Sequence, residues 1–406
     1  MTYYLIVVLG LLLLIFLHEL GHFTAARAVG IKPRKFYVGF PPALAKVQRN
    51  GVEYGIGAIP LGGYVRIPGM HRPAARDFDT WIRPAMHEEA ELAPVVQRIR
   101  RELDAESFDG ARAELPELQA ILDRATLTQS AERSAERAVR ELDEGTGDDA
   151  YWRQRTWKRI VVIVAGPLAN VVVAFAIFFG VFLAGAPTGD PSTTVGAVET
   201  NTPAAVAGLH VDDKVVAVNG VATSTFAQVS GRIRASHGSP ITLTVERNGR
   251  RITLGPRKTV FEGGHYIWGF VPTAKLVSYG VGASARKSAS ELWTITTGTG
   301  RAIGGLVHSQ DRKQLTGTVG IVRESAAALK VGFTYYLELL GLVSMSLALM
   351  NLLPLLPLDG GHIAVSLLEA VRRRAFAREL YERISFVGIA LIAFIAFVAL
   401  NNDLTR

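Results

Sequence analysis

Two histidines and a glutamate near the start of the chain have the types and spacing needed to bind a metal ion. They form the run His18-Glu19-Leu20-Gly21-His22, in which the two imidazoles are four residues apart. On a helix, side chains at this spacing lie on one face about one turn apart, so both can point at a single ion. Glu19 is placed to take a proton from an attacking water. The run predicts a zinc site with a catalytic base.

The residues around this run form an apolar segment, which makes three ionisable side chains unexpected there. Residues 4–28 are long enough to cross a bilayer, which takes about 20 apolar residues. A charged residue at the middle of such a helix costs roughly 2.5–3.5 kcal/mol on insertion scales. A lone buried histidine is more often a core residue than a ligand, but a metal site with neutral imidazoles explains all three residues together.

A zinc site with two histidines needs a third protein ligand and an open position. The best candidate is Asp359, in Leu358-Asp359-Gly360-Gly361-His362 after two prolines that break the preceding apolar helix. Broken helix at membrane depth is tolerated where it lines protein or a cavity. We predict Zn²⁺ bound by His18, His22 and Asp359. His362 is the competing ligand, and capping of a new helix is the alternative role for Asp359.

Composition supports a chain that crosses the membrane several times. Of 406 residues, 49% are hydrophobic and 20% are charged, with mean hydropathy +0.23, so apolar spans must alternate with polar segments. Four segments are predicted to span the bilayer, at residues 4–28, 160–186, 335–356 and 384–400. The absence of cysteine excludes disulfides and thiolate metal sites. No basic region precedes the first span, which we interpret as retained rather than as a cleaved signal.

The positions of the basic residues predict the orientation of these spans. Three clusters lie beside them: Arg27, Lys32, Arg34 and Lys35; Arg153, Arg155, Lys158 and Arg159; and Arg372, Arg373, Arg374, Arg378 and Arg383. All three fall on one side, expected to be the cytoplasm of a cell membrane, if both termini are outside. The net charge of +8 is thereby attributed to membrane loops, and no nucleic-acid partner is expected. The rise of about 1.5 Å per residue then places the metal inside the hydrocarbon, nearer the cytoplasmic face.

Two different pieces separate the first two spans. Residues 51–67 are rich in glycine and alternate in polarity, which predicts a short hairpin or loop with β character within a membrane-associated segment, residues 36–70. The second piece is residues 71–155, in which the chain from Pro84 to Gly147 is rich in Glu, Arg and Ala. Apolar residues recur there at helical spacing, at Leu115, Leu118, Ile121, Leu122 and Ala125. We interpret this piece as a cytoplasmic helical insert, either simply solvated or regulatory.

The segment after the second span is expected outside the cell. Residues 185–194 are rich in Pro, Gly and Thr and are interpreted as a linker. Residues 190–275 form a small module of strands and short helices, with hairpin turns at Asn219-Gly220 and Asn248-Gly249. Residues 276–333 are predicted to be a linker with an amphipathic segment. The third span belongs to residues 334–366, and the last span with its basic segment to residues 367–406.

The chain resembles the site-2 protease family of intramembrane zinc metalloproteases, in its bacterial form with one PDZ domain. The matching motifs are His18-Glu19-Leu20-Gly21-His22, Gly62-Gly63-Tyr64-Val65, Ala165-Gly166-Pro167-Leu168-Ala169-Asn170 and Leu358-Asp359-Gly360, in the family's order. The resemblance implies that His18, His22 and Asp359 bind zinc and that Glu19 is the catalytic base. It implies that Asn170 engages substrate, although a buried amide can equally hold helices together. It also implies a hairpin, including Gly62 and Gly63, that pairs with an unwound substrate strand.

The module after the second span resembles a circularly permuted PDZ domain. The resemblance rests on Ala207-Gly208-Leu209, Asp212-Asp213-Lys214 and Val218-Asn219-Gly220. Its carboxylate-binding loop is predicted at Tyr266, Ile267, Trp268, Gly269 and Phe270, with a core position for Trp268 as the alternative. Many relatives have two PDZ domains where this chain shows one, and Thr318 stands where relatives often have proline.

The predicted fold class is a polytopic α-helical membrane protein with four spans, a membrane-associated β-hairpin and one small α+β PDZ domain. The resemblance implies hydrolysis of peptide bonds within single-pass transmembrane substrates, such as anti-sigma-factor-like regulators already cut by a site-1 protease. Two other classes remain to be distinguished. A scaffold with an inactive site would bind zinc without cleaving, and a transporter would carry its metal ligands along a path rather than at one depth.

Overall fold

The computed structural model describes residues 2–262, 264–305, 317–373, 376 and 378–405. The chain divides into two compact units. One comprises Met1–Phe175, Leu292–Glu324 and Leu340–Arg406, and the other comprises Ala176–Glu291 and Ser325–Leu339.

The elements follow in chain order. The first part of the chain contains α1 (Thr2–Ala28), β1 (Lys35–Arg49), β2 (Val52–Arg66), α2 (Ala75–Glu88), α3 (Leu92–Asp104), α4 (Phe108–Ala113), α5 (Leu115–Leu122), α6 (Gln129–Thr146) and α7 (Thr156–Ala184). Then come β3 (Ala186–Val198), α8 (Pro203–Val206), β4 (Lys214–Val218), β5 (Val221–Ala222), α9 (Phe226–Arg234), β6 (Pro240–Arg247), β7 (Arg250–Lys258), β8 (Val260–Glu262), β9 (His265–Ile267) and β10 (Phe270–Val277). The chain ends with α10 (Val281–Gly305), α11 (Thr318–Val331), α12 (Phe333–Asn351), α13 (Asp359–Arg372) and α14 (Arg378–Thr405).

Four helices in the described part of the chain are long and apolar enough to cross a membrane. They are Thr2–Ala28, Thr156–Ala184, Phe333–Asn351 and Leu380–Thr405. The four predicted spans are therefore confirmed as candidate membrane helices. The third ends at Asn351, earlier than the predicted residue 356, because the proline-containing residues 352–358 form turns instead of helix. Large apolar side chains such as Leu5, Val172 and Phe386 are exposed on these helices, as expected of surfaces that face lipid.

β1 and β2 form a two-stranded sheet that is more extensive than the sequence predicts. Residues 43–49 pair with residues 52–57 around the turn Asn50-Gly51, and residues 35–38 pair with residues 63–66. The prediction of a hairpin within residues 51–67 is wrong in detail, because those residues supply only its second strand. The Asn50-Gly51 dipeptide is the signal for this turn, and both residues adopt the positive φ that it requires.

Helices α2 to α6 form a helical insert with a core of its own, which confirms the helical prediction. The first helix of the insert begins at Ala75, before the stretch rich in Glu and Arg (Pro84–Gly147) on which the prediction was based. Its buried apolar residues include Phe78, Ile82, Leu92, Val95, Ile99, Leu103, Leu118 and Leu142. Leu115, Leu118 and Ile121 are buried on one face of α5, as their helical spacing predicts.

The second unit contains an antiparallel sheet with strand order β10-β3-β4-β6-β7, with β5 beside β4 and a separate β8–β9 pair. Its core includes Val195, Val215, Val229, Leu243 and Trp268. The turns predicted at Asn219-Gly220 and Asn248-Gly249 are confirmed. The linker predicted at residues 185–194 is wrong, because most of it belongs to β3. Pairing with β10 satisfies the backbone there despite a composition typical of loops.

The linker predicted within residues 276–333 is also corrected, because α10 and α11 occupy most of the described residues there. The start of α11 is capped by a carboxylate from the end of α14. Asp403 accepts hydrogen bonds from the backbone N–H groups of Gly317 (3.0 Å) and Gly320 (2.7 Å). Arg374, one of the predicted cytoplasmic basic residues, lies outside the described residues.

Candidate active site

The predicted metal ligands from two distant parts of the chain meet at one point. His18 and His22 are buried on one face of α1, with their Nε2 atoms 3.2 Å apart. The Oδ2 atom of Asp359, at the start of α13, lies 3.3 Å from each of these two nitrogens. Within the described residues, these three side chains form the group that could hold a metal ion. Asp359, and not the alternative His362, is thus the residue whose side chain meets the two histidines here.

The spacing and environment of these atoms fit zinc. Ligand nitrogens about 2.0–2.1 Å from a tetrahedral zinc ion are about 3.3 Å apart, which matches all three edges of the triangle. The Oδ2 atom of Asp359 is buried and accepts no hydrogen bond in the described structure, although it has lone pairs to share. One carboxylate oxygen and two imidazole nitrogens therefore surround a single point at which a cation could bind.

Glycines allow the chain to bring Asp359 close to the histidines. Residues 352–358 turn back after α12, and a Cβ on Gly361 would lie 2.5 Å from the backbone nitrogen of Leu356. A Cβ on Gly360 would likewise lie too close to the carbonyl group of Leu352. The sequence Gly360-Gly361 is thus needed because α13 starts directly against the turn that precedes it.

His362 lies near the site but is bonded elsewhere. Its Nδ1 atom forms a short hydrogen bond with the hydroxyl of Tyr381 on α14. This geometry places it beside the ligand group rather than within it.

Neighbours on α7 contact the other ring nitrogens of the two ligand histidines. The Nδ1 atom of His22 is 2.9 Å from the carbonyl oxygen of Val162, which can accept only from an N–H and so leaves Nε2 free for a metal. The Nδ1 atom of His18 is 3.3 Å from the side-chain amide of Asn170. Asn170 is fully buried, and its Oδ1 atom has no hydrogen-bond partner in the described structure. The predicted substrate residue is thus in contact with a metal ligand.

Glu19 lies beside the sheet that follows α1. Its carboxylate interacts electrostatically with His22, His18, Asp359 and the backbone N–H of Val65, in β2. Gly63 lies on the same strand, and a Cβ there would come 2.8 Å from Cγ of Glu19. Gly62 packs instead against the ring of Phe40. Of the two glycines predicted to face substrate, Gly63 is the one beside Glu19, the predicted catalytic base.

The predicted carboxylate-binding loop of the second unit is not a continuous loop. Tyr266 and Ile267 belong to β9 and Phe270 begins β10, which leaves Trp268 and Gly269 between them. The side chain of Trp268 is buried in the core, as the alternative interpretation held, because the large apolar ring closes one side of that core. Peptide binding by this segment stays a prediction.

Three residues at the site were given no role by sequence reasoning. Val162 and Val65 act through backbone groups, which leave no signal in residue type. Gly166 lies against the ring of His22, where an added Cβ would be 2.5 Å from Cε1. Its presence in Ala165-Gly166-Pro167 was the available signal for a close approach of α7 to the metal ligands.

The arrangement and the order of these motifs agree with comparisons across the whole chain. Residues 6–395 match the pattern of peptidase family M50. The chain belongs to this family. The chain is 29% identical to the zinc metalloprotease RasP of Geobacillus kaustophilus, covering 99% of this chain and 97% of that protein. It is 28% identical to the probable protease eep of Enterococcus faecalis, covering 99% and 98%, and 29% identical to the metalloprotease MmpA of Caulobacter vibrioides, covering 96% and 92%.

Proposed function

We propose that this chain is an intramembrane zinc metalloprotease that hydrolyses peptide bonds within transmembrane segments of single-pass proteins. The observation that carries the proposal is the triangle of His18, His22 and Asp359 beside Glu19 on an apolar helix. Membership of peptidase family M50 and the relatives that are named zinc metalloproteases support it. Ligands gathered at one depth also count against a transport path for metal ions.

Zinc bound by His18, His22 and Asp359 would polarise the scissile carbonyl and acidify the attacking water. Glu19 removes the proton from that water as it attacks and delivers the proton to the leaving amine nitrogen. Gly63 lies against Cγ of Glu19 and limits the positions that this carboxylate can take. The carbonyl of Val162 accepts from the Nδ1–H of His22, so that this imidazole presents Nε2 to the metal. Asn170 contacts Nδ1 of His18 and limits the rotation of that ring.

The open edge of β2 is suited to receive an unwound substrate. Alternate residues of a strand direct their backbone groups to the same side. Arg66 points its carbonyl inward, where it accepts from the N–H of Arg34 (2.8 Å), whereas the backbone N–H of Val65 is on the side of Glu19. By this alternation, Gly63 also directs its backbone groups outward, toward the site. A substrate strand paired with Gly63 would have its peptide bonds beside the catalytic base.

The surroundings of the site support a membrane location. Sheet residues Phe40, Leu44, Val47, Ile56 and Ile59 expose apolar side chains, which suits a hairpin that enters the bilayer. The basic clusters favour a cytoplasmic position for the hairpin, the insert and residues 372–383, with both termini and the second unit outside the cell.

The second unit is proposed to be a single PDZ domain that selects substrates, by size or by binding a new C-terminus through the segment at residues 266–270. Its sheet, with α9 packed on it, supports this assignment. The proposed substrates are regulators like anti-sigma factors that a site-1 protease has already cut. We also propose that the enzyme is similar to the single-PDZ forms found in actinobacteria.

The substitution Glu19→Gln tests the function most directly. The full chain in lipid nanodiscs would be mixed with a single-pass model substrate, and cleavage and bound zinc would be measured. Glu19→Gln is expected to keep its zinc but to lose about 10²- to 10⁴-fold in rate, the usual contribution of a general base. Glu132→Gln, on an exposed position of α6, is the matched control and should cleave normally.

Two results would contradict the proposal. Cleavage by Glu19→Gln at the rate of Glu132→Gln would remove Glu19 from the mechanism. Zinc binding by the wild-type chain without cleavage of any transmembrane substrate would favour an inactive scaffold. Substrates trapped by Glu19→Gln and identified by mass spectrometry would show which proteins it acts on.

A further inference from the structure

Two arginines at the base of the β1–β2 sheet are bound to carboxylates of the helical insert. Arg66, the last residue of β2, has Nη2 2.8 Å from Glu141 and 3.0 Å from Glu144. Arg34, which precedes β1, lies 3.1 Å from Asp149 and 3.8 Å from the other oxygen of Glu144. A single carboxylate near the end of α6, that of Glu144, therefore joins the residue before β1 to the last residue of β2, which lie side by side at this end of the sheet.

This ion-pair network is partly removed from water, so its geometry is expected to be well defined. The side chain of Glu144 is 10% exposed, and those of Arg34 and Arg66 are about one quarter exposed. Burial raises the pKa of Glu144, and the two arginines act against that rise. Removing one partner would leave a buried charge without compensation, which favours keeping the network intact.

Backbone hydrogen bonds join the two ends of the insert close to Arg66. The N–H of Tyr151 donates to the carbonyl of Pro68 (2.9 Å), and that of Trp152 donates to the carbonyl of Gly69 (3.0 Å). The segment that leaves the insert is thus tied to the segment that enters it, directly after Arg66. The insert is consequently a rigid attachment at the end of β2 rather than a loosely tethered addition.

Arg66 follows directly on the residues of β2 that contact the catalytic base. A Cβ built on Gly63 would lie 2.8 Å from Cγ of Glu19, and the backbone N–H of Val65 interacts electrostatically with the carboxylate. A shift of Arg66 would be passed on to Val65 and Gly63, because planar peptide units leave the strand few dihedral angles with which to absorb it. The contacts therefore run without interruption from Glu144 through Arg66 and Val65 to Glu19.

We propose that the helical insert is a positioning element for catalysis, which holds Glu19 in place through Arg66 and the backbone of Val65. Arg66 is a positioning residue, since it reaches the catalytic base only through its neighbour. The inference rests on the proposed function for the role of Glu19. It assigns a function to the insert, and it makes the insert a place from which the rate of hydrolysis can be altered.

The test compares Arg66→Gln with Arg98→Gln in the full chain in nanodiscs. Arg98 is the matched control because it also bridges two glutamates, Glu114 (2.7 Å) and Glu117 (2.5 Å), but within the insert alone. Arg66→Gln is expected to lower kcat about 10- to 100-fold, as for a displacement near 1 Å, with KM and bound zinc unchanged. Arg98→Gln should leave kcat unchanged, and Arg66→Lys should recover part of the loss.

Hydrogen exchange supplies a readout that needs no protease activity. In Arg66→Gln, the amide of Val65 should exchange about tenfold faster than in the wild type, and Arg98→Gln should show no change. If the wild-type chain cleaves nothing, the proposed function fails while this measurement still decides whether the insert holds Val65.

Three outcomes would overturn the inference. They are unchanged exchange at Val65 in Arg66→Gln, an equal loss of kcat in Arg98→Gln, and a rise in KM with kcat unchanged. If Arg66→Gln does not fold, Glu141→Gln replaces it, because Arg66 then keeps Glu144 as a partner. A smaller loss of kcat with faster exchange at Val65 supports the inference, and wild-type values of both overturn it.

Discussion

Substitution of Gly166 by alanine should damage the metal site although Gly166 binds nothing itself. The new Cβ would lie 2.5 Å from Cε1 of His22 and still closer to Nε2, the atom that faces the metal. Ordinary contact begins near 3.4 Å, so the ring must move by about 1 Å. The hydrogen bond from His22 to the carbonyl of Val162 resists this movement, because it fixes the same ring from the other side.

The expected size of the effect follows from that displacement. Loss of a neighbour that merely orients a ligand typically weakens metal binding about 10- to 100-fold, or about 1.4–2.7 kcal/mol. Displacement of the ligand ring should cost at least as much. The dissociation constant for zinc would be measured by competition with a chelator, alongside cleavage of a transmembrane substrate. We expect both zinc affinity and cleavage to fall in Gly166→Ala.

Gly180→Ala is the matched control for this experiment. Gly180 lies on the same helix, α7, and no heavy atom comes within 4 Å of a Cβ built there. Both substitutions give a similar gain in helix propensity, which therefore cancels in the comparison. If Gly166→Ala bound zinc as tightly as Gly180→Ala, the assignment of His22 Nε2 as a metal ligand would be refuted.

Three further predictions concern other parts of the molecule. A chelator should abolish cleavage, and added Zn²⁺ should restore it; activity that persists without bound metal would contradict the zinc site. Asn170→Ala should weaken zinc binding about 10- to 100-fold through His18, whereas a change confined to KM would favour a substrate contact. Asp213 accepts two 2.7 Å hydrogen bonds from Arg247; burial raises its pKa, but Arg247 brings the pKa below the usual 3.8. The contribution of this ion pair to the stability of the second unit should therefore be complete above pH 3.8 and be lost as the pH falls further. Asp213→Asn should lower the stability and weaken its dependence on pH. Both effects would be measured by hydrogen exchange of the amides in β4 and β6.

Local patterns were sufficient for much of the fold. Apolar length predicts the four membrane helices, and helical spacing predicts the burial of Leu115, Leu118 and Ile121. Patterns of composition failed at residues 185–194, where pairing with β10 makes a strand from residues typical of a linker. They also placed the strands of the hairpin within residues 51–67, although its first strand is β1, because the residues that pair with β1 lie on both halves of β2 and leave no simple local pattern.

The sequence by itself determined the chemistry of the site, because residue types and short spacings are local properties. The spacing within one helical turn identifies His18, Glu19 and His22. The broken helix and the glycine pair beside it identify Asp359. The surroundings of these groups depended on tertiary structure. The carbonyl of Val162, the N–H of Val65 and the space left by Gly166 are backbone features, and folding brings them to the site without any mark in residue type. The contacts from Glu144 through Arg66 to Glu19 likewise depend on tertiary structure, because these residues are far apart in the sequence and folding brings them together.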